Sequence, residues 1–328
     1  MESHSISWWN LENLFDIENS PRRSQFLNDN LSGELQGWTQ PVLDKKIDNL
    51  SSIIGKMNNN NGPDVLGVCE VENDHVLQLL VDKLNSQLNR NYAFSIVDGT
   101  DKRGIDTALI FDQNKYQIGQ ETYTLRITKR NSTRDLFQVH LTTNSGNMLV
   151  IILNHWPSRS GGVFESEPYR IMVAENLAFW TERIHEEIGS DVSILLMGDF
   201  NDNPFDRSLI SYLLSSNNKK KVINARNKYF YNLMYKFMDT GFGTHVYGSE
   251  VNVLDQFLVS KNIISQSNNH PFKVEKVNGE YSVDIVSFPE MISGDYSKAV
   301  RFSRPNKGDF NPQGFSDHLP ISITLLEN

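Results

Sequence analysis

Apolar residues repeat along the chain at two spacings, one typical of helices and the other typical of strands. Repeats of three and four residues predict amphipathic helices over residues 43–57, 76–88 and 168–188. Short apolar runs predict strands, and these runs cover residues 5–9, 64–69, 92–97, 106–111, 148–153, 192–197, 254–259 and 319–325. Residues 16–40 are polar and are predicted to form a long loop. Residues 260–315 hold scattered Gly, Pro, Asn and Ser, and we expect a hairpin or a substrate-facing insert there.

The alternation of helices and strands places the chain in the α/β class. No linker rich in proline or glycine divides it, so we expect residues 1–328 to form a single domain. Because some predicted strands follow one another directly and others are separated by helices, two sheets flanked by helices are the expected architecture.

Composition narrows the class of protein further. Hydrophobic residues make up 38% of the 328 positions and charged residues 22%, which is ordinary for a globular protein. Cys69 is the only cysteine, so an intramolecular disulfide and a cysteine-based zinc site are excluded, and its apolar neighbours predict a buried strand thiol. The net charge of −9 argues against a broad basic face for nucleic acid, so any such contact should be local.

The chain shows no pattern for membrane insertion or export. No run approaches the roughly 18 apolar residues that a membrane helix needs, so we expect no stable membrane association. Residues 1–6 have neither the basic nor the apolar region of a signal peptide. A cytoplasmic protein and an exported protein whose signal has been removed both fit this pattern, and we expect a monomer.

Polar and ionisable residues stand at the ends of several predicted strands. In chain order they are Asn10, Glu70, Asn154, His155, Asp199, Asn201, Asp255, Asp317 and His318. Strand ends of one sheet can converge on one cleft, where crowded carboxylates repel each other unless a cation is present. Mg²⁺ suits such a site because it prefers hard oxygen ligands. The histidines would then serve proton transfer and contacts to a phosphoryl oxygen.

Each of these residues also has a structural interpretation when it is taken alone. Asn10 could cap the following turn, and Glu70 beside Glu72 could be a solvated strand end. Residues 198–201 and 316–318 could form ordinary turns, since Gly, Asp and Asn favour them. It is their combination in one order along the chain that favours a functional site.

That order resembles the endonuclease/exonuclease/phosphatase superfamily, which includes deoxyribonuclease I, exonuclease III-like repair enzymes, inositol polyphosphate 5-phosphatases and bacterial sphingomyelinases. The most specific motifs are Gly-Asp-Phe-Asn at 198–201 and Ser-Asp-His at 316–318. Residues 69–73, 103–106, 154–159 and 254–256 resemble a bacterial branch of hydrolases in that superfamily. The resemblance implies a deoxyribonuclease I-like fold, a four-layered α/β sandwich with two mixed β-sheets packed face to face and helices outside.

The resemblance also implies a metal site and a set of catalytic residues. Glu70 is similar to the glutamate that binds the catalytic Mg²⁺, for which Mn²⁺ is an expected substitute, and Asn10 and Asp317 are assigned to the same metal side. Asp317 with His318 also resembles the closing dyad of the family, in which the aspartate orients the imidazole. The resemblance implies five catalytic residues. His155 would contact the scissile phosphate and could act as a general acid, and Asp199 and Asn201 would orient the attacking water. Asp255 would pair with the first histidine or lie near the metal, and His318 would contact phosphate or activate water.

Three residues are predicted on the substrate side, namely Asn154, Arg103 and Arg159. Arg159 could donate a bidentate pair of hydrogen bonds to phosphate, or it could belong to a rigid surface loop. Arg103 could form a structural ion pair with Asp106 or help to hold the site. Which histidine serves as acid and which as base is left open by the resemblance.

Three functions remain open at this point. The favoured one is a Mg²⁺-dependent endonuclease that acts on DNA or RNA by in-line attack of water. A close rival, given the net charge, is a phosphatase or phosphodiesterase for a small-molecule or lipid-headgroup phosphate. The third is a catalytically silent protein that binds a phosphorylated ligand. A phosphate ester, with nucleic acid as one candidate, is therefore the expected partner.

One basic segment bears on the choice between these functions. Four cations stand among aromatic residues there, namely Lys298, Arg301, Arg304 and Lys307 with Tyr296, Phe302 and Phe310. Such a mixture suits a phosphate backbone with stacking bases, and it would equally fit a solvated loop with ordinary charges.

Overall fold

The computed structural model describes residues 1–31, 33–97, 99, 103–128, 133–294 and 296–328. The α-helices in these ranges are α1 (Gln25–Leu31), α2 (Gln40–Asn60), α3 (Asp74–Leu88), α4 (Val163–Glu187), α5 (Lys219–Asn224) and α6 (Lys261–Ser265). The strands are β1 (Glu2–Leu14), β2 (Val65–Val71), β3 (Tyr92–Ile96), β4 (Asp106–Asp112), β5 (Tyr116–Ile118), β6 (Tyr123–Leu125), β7 (Leu136–Thr143), β8 (Met148–His155), β9 (Ser193–Asp199), β10 (Ser215–Ser216), β11 (Phe230–Asn232), β12 (His245–Tyr247), β13 (Glu250–Asn252), β14 (Asp255–Val259), β15 (Phe272–Val274), β16 (Lys276–Val277), β17 (Glu280–Tyr281), β18 (Val283–Ile285), β19 (Ile292–Ser293), β20 (Lys298–Ala299) and β21 (Ile321–Glu327).

The long strands form two mixed sheets. The first sheet has the order β15-β21-β1-β2-β4-β3, with β18 also paired to β21. The second has the order β10-β11-β14-β9-β8-β7-β5, with β6 also paired to β7. Each sheet contains a long parallel pair, β1 with β2 and β8 with β9, and these pairs are connected through α2 and α4 respectively. This arrangement is expected because a parallel pair needs a crossover rather than a tight turn.

The two sheets pack face to face. A Cβ atom added at Gly67 of β2 would lie 2.6 Å from Met197 of β9 and 2.8 Å from Leu153 of β8, so the glycine is what allows this close approach. Along β8, residues 149, 151 and 153 belong to the core between the sheets, whereas residues 150 and 152 pack with residues of α4. The strand is apolar throughout because both of its faces are covered.

Helices cover the outer faces of the sandwich. Residues of α2 and α3 pack into the same core as the first sheet, and residues of α4 pack on the second sheet. The predicted four-layered, deoxyribonuclease I-like architecture is therefore confirmed, as are all the predicted strands and all three amphipathic helices, with their ends moved by a few residues. Cys69 is buried in β2, as predicted. No helix in the described ranges combines the length and the apolar character needed to cross a membrane.

Some elements differ from the sequence prediction. The predicted loop over residues 16–40 contains α1, and it is folded around a small core of its own that includes Phe15, Trp38 and Phe302. The helix predicted from Pro168 begins earlier, at Val163, so the proline stands inside its second turn. Strand β7, which lies between β8 and β5 in the second sheet, was not predicted. The predicted hairpin between residues 260 and 315 is present, formed by β16 with β17 and followed by a second paired segment, β19 with β20; Asp295 lies outside the described residues.

Candidate active site

Five strand ends meet at one edge of the sandwich and carry most of the predicted site residues. The parallel pairing of β8 with β9 sets His155 opposite Asp199, and the antiparallel pairing of β14 with β9 sets Asp255 opposite the same residue. In the first sheet, Asn10 of β1 lies one position away from Glu70 in the paired strand. A hydrogen bond from Asn10 Nδ2 to Asp199 Oδ2 (3.2 Å) joins the two sheets at this point.

Two local backbone features shape this edge. A Cβ atom at Gly198 would lie 2.2 Å from the carbonyl oxygen of Asn154, so only glycine allows β8 and β9 to stay paired up to Asp199. Glu70 and Asn201 have left-handed backbone, with φ of 64° and 51°. This conformation costs about 1–3 kcal/mol per residue, and it ends the regular strand at the point where the side chains meet the cleft.

Two carboxylates favour the protonated form of His318. Its Nδ1 lies 2.7 Å from Asp255 Oδ2, and its Nε2 faces Asp199 Oδ2 at 3.9 Å. Asp255 therefore pairs with the second histidine of the site rather than the first, and Asp255 instead of Asp317 orients the His318 ring. Although burial alone would lower the pKa of His318, Asp255 and Asp199 raise it well above 6.5. The second oxygen of Asp255 accepts a hydrogen bond from the indole nitrogen of Trp8 (2.9 Å), so this fully buried carboxylate is fixed at both oxygens. His318 also packs against His245, with ring centroids 4.6 Å apart and the ring planes tilted by 39°.

Asp199 is the residue on which the other groups converge. Its Oδ1 accepts the backbone N–H of Asn201 (2.9 Å), and its Oδ2 accepts from Asn10. Burial raises the pKa of Asp199 to about 7; repulsion from Asp255 adds to this shift, whereas His318 opposes it.

His155 differs from His318 in its charge. Burial, reinforced by the positive charges of Arg134, Arg103 and His318, lowers the pKa of His155 well below 6.5. Its Nε2 lies 2.6 Å from a guanidinium nitrogen of Arg134, which also donates to the carbonyl oxygen of Trp156. Since a guanidinium nitrogen can only donate, His155 is a neutral acceptor in this arrangement.

Glu70 and Asp317 both reach the cleft. Glu70 Oε2 accepts the backbone N–H of Asn13 (3.0 Å), and its Oε1 lies 3.8 Å from His155 Nε2. Asp317 is about one third exposed, and its Oδ2 lies 3.7 Å from Arg301. Among the described residues at this edge, Asp199, Asp255 and His318 form a compact group of possible metal ligands. One ligand atom from each lies within 4.8 Å of the other two. The predicted metal residues Asn10, Glu70 and Asp317 surround this group rather than form it.

Two residues predicted on the substrate side are used inside the protein instead. Asn154 is fully buried; its amide donates to the carbonyl oxygens of residues 152 and 197 and accepts from the indole of Trp156. The guanidinium of Arg159 donates to the carbonyl oxygen of Asn201 (2.7 Å), to Asn252 (3.2 Å) and to the carboxylates at positions 202 and 206. The prediction of substrate contact is corrected for both, because their hydrogen-bonding groups already have protein partners.

Arg103, the third residue of that set, is exposed and lies close enough to lower the pKa of His155. It is thus on the cleft side of the fold. Its predicted partner Asp106 accepts the backbone N–H of Gly99 (3.1 Å).

Several residues of this region were not predicted. They are Trp8, Glu12, Lys46, Arg134 and His245. Lys46 is the one for which the sequence holds a signal, because a lysine three positions after Leu43 and beside Ile47 falls on the apolar face of α2. The others make contacts with residues far away in the chain, and no local pattern marks them.

The basic segment after β20 is mostly paired within the protein. Arg304 lies 2.7 Å from Glu34, and Lys307 lies 3.4 Å from the same carboxylate. Phe302 is buried beside Trp38, and Phe310 packs against Phe302. The structural interpretation of these residues therefore holds, and they do not form a track of cations and aromatic rings for a phosphate backbone.

Comparison with known proteins agrees with this geometry. Residues 5–327 match the sequence model of a family described as the endonuclease/exonuclease/phosphatase family. A search of curated protein sequences finds no match.

Among solved structures, ANGEL2, a 2′,3′-cyclic phosphatase in complex with adenosine-2′,3′-vanadate, aligns with a TM-score of 0.61 at 14% identity, over 98% of this chain and 95% of that one. TDP2 of D. rerio with a single-strand DNA product aligns with a TM-score of 0.59 at 14% identity, over 99% and 100%. A mannosyl-6-phosphatase of Bacteroides thetaiotaomicron aligns with a TM-score of 0.56 at 14% identity, over 98% and 99%. At such low identity these similarities establish the shared fold.

Proposed function

We propose that this chain cleaves phosphodiester bonds of DNA or RNA with the help of Mg²⁺. The chain belongs to the endonuclease/exonuclease/phosphatase family and is a phosphoesterase of that family. The observation that carries this proposal is the buried pair of Asp255 and His318 beside Asp199. A histidine that is held as a cation can give a proton to a leaving oxygen or bind a phosphoryl oxygen.

The residues at the cleft fit a hard divalent cation. Glu70, Asp199 and Asn10 offer carboxylate and amide oxygens, and one oxygen each of Glu70 and Asp199 lies 3.8 Å from His155 Nε2. Glu70, with Asn10 and Asp317, would hold the metal. Proteins of this family typically depend on a divalent metal, and a bound Mg²⁺ would neutralise charge on the phosphoryl oxygens and on the leaving oxygen.

The protein's own groups divide the remaining work. His318 uses Nδ1 for Asp255, so Nε2 is the nitrogen that is directed towards Asp199 and the reacting groups. Asp199, fixed by the N–H of Asn201, is placed to orient the attacking water. On the opposite side His155 is neutral, and Arg134 beside it supplies positive charge for the phosphate. We therefore assign the proton-donating role to His318 and not to His155.

Exposed aromatic residues in segments that lead away from the site strands favour nucleic acid as the substrate. Phe205 follows the end of β9, Phe164 follows the loop after β8, and Tyr247 stands on the β12–β13 hairpin, whose His245 stacks on His318. The rings of Phe205, Phe164 and Tyr247 are 51%, 83% and 76% exposed, although large aromatic residues usually bury most of their surface. Bases of a single strand stack on such rings irrespective of sequence.

A phosphatase or phosphodiesterase for a small phosphorylated molecule is the second candidate. It is favoured by the net charge of −9 and by the pairing of Arg304 and Lys307 with Glu34, which together leave little basic surface for a long phosphate backbone. Such a substrate would need only the cleft itself.

A hydrolysis panel distinguishes these functions. Plasmid, single-stranded DNA, RNA, bis-p-nitrophenyl phosphate, inositol phosphates and sphingomyelin would be incubated with Mg²⁺ or Mn²⁺, using His318→Ala as the control. We expect cleavage of nucleic acid that falls by about 10²-fold or more in the variant. Turnover of a small ester alone would favour the second candidate. Silence with every substrate and both metals would contradict the proposal and favour a protein that only binds a phosphorylated ligand.

A further inference from the structure

Glu12 lies near the end of β1, two residues beyond Asn10, and its carboxylate is buried. The pairing of β1 with β2 becomes irregular between Asn10 and Leu14, and Glu12 and Asn13 have left-handed backbone with φ of 50° and 61°. The irregularity separates two side chains that a regular strand would place on the same face. Asn10 contacts Asp199 in the cleft, whereas Glu12 contacts residues 301–303.

The Glu12 carboxylate binds this segment with both oxygens. Oε1 accepts from Arg301 Nε (2.7 Å) and from the backbone N–H of Ser303 (3.2 Å), and Oε2 accepts the backbone N–H of Phe302 (2.9 Å). Arg301 Nη2 also lies 2.7 Å from Glu12 Oε1. This is the geometry of a strong, charge-assisted contact between guanidinium and carboxylate.

The same guanidinium nitrogen has a second carboxylate within reach. Arg301 Nη2 lies 3.7 Å from Asp317 Oδ2, beyond hydrogen-bonding distance, and Nη1 lies 3.0 Å from Asp309. The Arg301 side chain is 41% exposed and has room to move, whereas Glu12 is fixed in the interior. The two groups already form an ion pair at this distance, and closing the gap to about 2.8 Å would convert it into a direct, charge-assisted hydrogen bond.

We propose that Glu12 is a positioning residue that holds Arg301 away from Asp317, so that the Asp317 carboxylate stays available to the catalytic metal. This role rests on the proposed function, because it takes Asp317 to lie on the metal side of the cleft. A guanidinium hydrogen-bonded to Asp317 would occupy an oxygen that a metal requires, and it would bring its positive charge closer to the metal.

The backbone around Asp317 is held by contacts that do not pass through Arg301, although the charge of Glu12 raises the pKa of one of these anchors, Lys46, which burial lowers. Lys46 Nζ, fully buried, donates to the carbonyl oxygen of Phe315 (2.5 Å), and Asn49 donates to the carbonyl oxygens of residues 312 and 314. Ser316 Oγ donates to the carbonyl oxygen of Asn10 (2.6 Å). Loss of the charge on Glu12 should therefore release Arg301 while Asp317 keeps its place.

The test is metal binding to the full chain, with and without each partner. Mn²⁺ would be titrated into metal-free protein and the free ion followed by electron paramagnetic resonance, for wild type, Glu12→Gln, Arg301→Gln and the double variant. Glu34→Gln is the matched control, because it removes the carboxylate partner of an arginine, Arg304 at 2.7 Å, elsewhere in the same segment. The Mg²⁺ concentration for half-maximal hydrolysis of bis-p-nitrophenyl phosphate would be measured in parallel.

Glu12→Gln should weaken Mn²⁺ binding by about tenfold, which is a usual size for coupling between two sites. Arg301→Gln should bind Mn²⁺ at least as tightly as wild type, the double variant should return to within about threefold of Arg301→Gln, and Glu34→Gln should match wild type. Unchanged binding in Glu12→Gln, or a double variant as weak as Glu12→Gln, would overturn the proposal.

If Glu12→Gln fails to fold, Arg301→Gln still decides the matter. Weaker Mn²⁺ binding in that variant would mean that Arg301 supports Asp317 rather than competes for it, and the proposal would fall. A wild type that neither binds Mn²⁺ nor shows metal-dependent turnover would overturn the proposed function itself. A metal-dependent wild type with an unaffected Glu12→Gln variant would overturn only the role of Glu12.

Discussion

Replacing Asp255 by asparagine keeps the shape of the side chain and removes the charge that holds His318. Both oxygens of Asp255 accept from a donor, His318 Nδ1 at 2.7 Å and Trp8 Nε1 at 2.9 Å. Asparagine has a single oxygen, so its amide nitrogen must face one of these two groups. If the oxygen stays with the indole, the amide N–H points at the imidazole, which must then be neutral and carry its proton on Nε2.

The size of the effect follows from this change of tautomer and charge. Positioned acid–base groups contribute about 10²–10⁴-fold to a rate, and the analogous change in a Ser-His-Asp triad lowers kcat by about 10⁴-fold. Because Asp255 is fully buried, solvent cannot replace the lost carboxylate. We expect kcat to fall by at least about 10²-fold. The assay is hydrolysis of bis-p-nitrophenyl phosphate at saturating Mg²⁺ and pH 7.

Asp112→Asn is the matched control for the loss of a buried carboxylate. Asp112 is buried and pairs with Arg90 (2.8 Å) at the end of β4, outside the cleft. Both variants should lose stability in urea unfolding, but only Asp255→Asn should lose kcat when rates are corrected for the folded fraction. If folded Asp255→Asn kept kcat within about fivefold of wild type, below the range for acid–base groups, the assignment of proton transfer to His318 would be refuted.

Three further predictions concern the metal, the indole donor and acid stability. Glu70→Ala should lower activity and weaken the response to Mg²⁺, with an unfolding free energy within about 1 kcal/mol of wild type because one backbone contact is lost; a wild-type Mg²⁺ response would remove Glu70 from the site. Trp8→Phe should lower the unfolding free energy by about 1–3 kcal/mol, because the Asp255 carboxylate loses a hydrogen-bond donor. Urea titration measures this free energy, and a change below about 0.5 kcal/mol would be too small for the loss of that donor. Burial alone would raise the pKa of Glu327, but hydrogen bonds from Thr143, Asn147 and His4 lower it below 4.5. The Glu327 carboxylate therefore stabilises the fold above that pH, and this contribution is lost as the pH falls through the folded-state pKa. Glu327→Gln should therefore flatten the fall in stability below pH 4.5; an equally steep fall would contradict this cause.

The parts of the fold that could be predicted from sequence are those whose faces are both covered. Residues 148–153 read as a strand because α4 covers one face and the other sheet covers the opposite face. The neighbouring β7 escaped prediction because Gln138, His140 and Thr142 interrupt its apolar positions. Gln138 instead binds the indole of Trp180, a tertiary contact that no local pattern contains.

Within the site, the strand-end residues could be predicted because strand order brings them together. His155, Asp199 and Asp255 are paired with one another through β9, so their proximity follows from the sheet alone. Glu12 and Lys46 could not be predicted in the same way. Their partners Arg301 and Phe315 are 289 and 269 positions away, in a segment without regular structure.

The two histidines of the cleft show most clearly what the sequence leaves open. Both follow a polar residue at the edge of an apolar strand, and both are buried in the same cleft. Burial lowers the pKa of each, so the charge is decided by the nearest partner. For His318 that partner is the carboxylate of Asp255, 63 positions away in the chain. For His155 it is the guanidinium of Arg134, which lies two residues before the start of β7. The pKa values of the two histidines are therefore shifted in opposite directions, and the proposed proton-donating role of His318 rests on this asymmetry, which the motif alone does not contain.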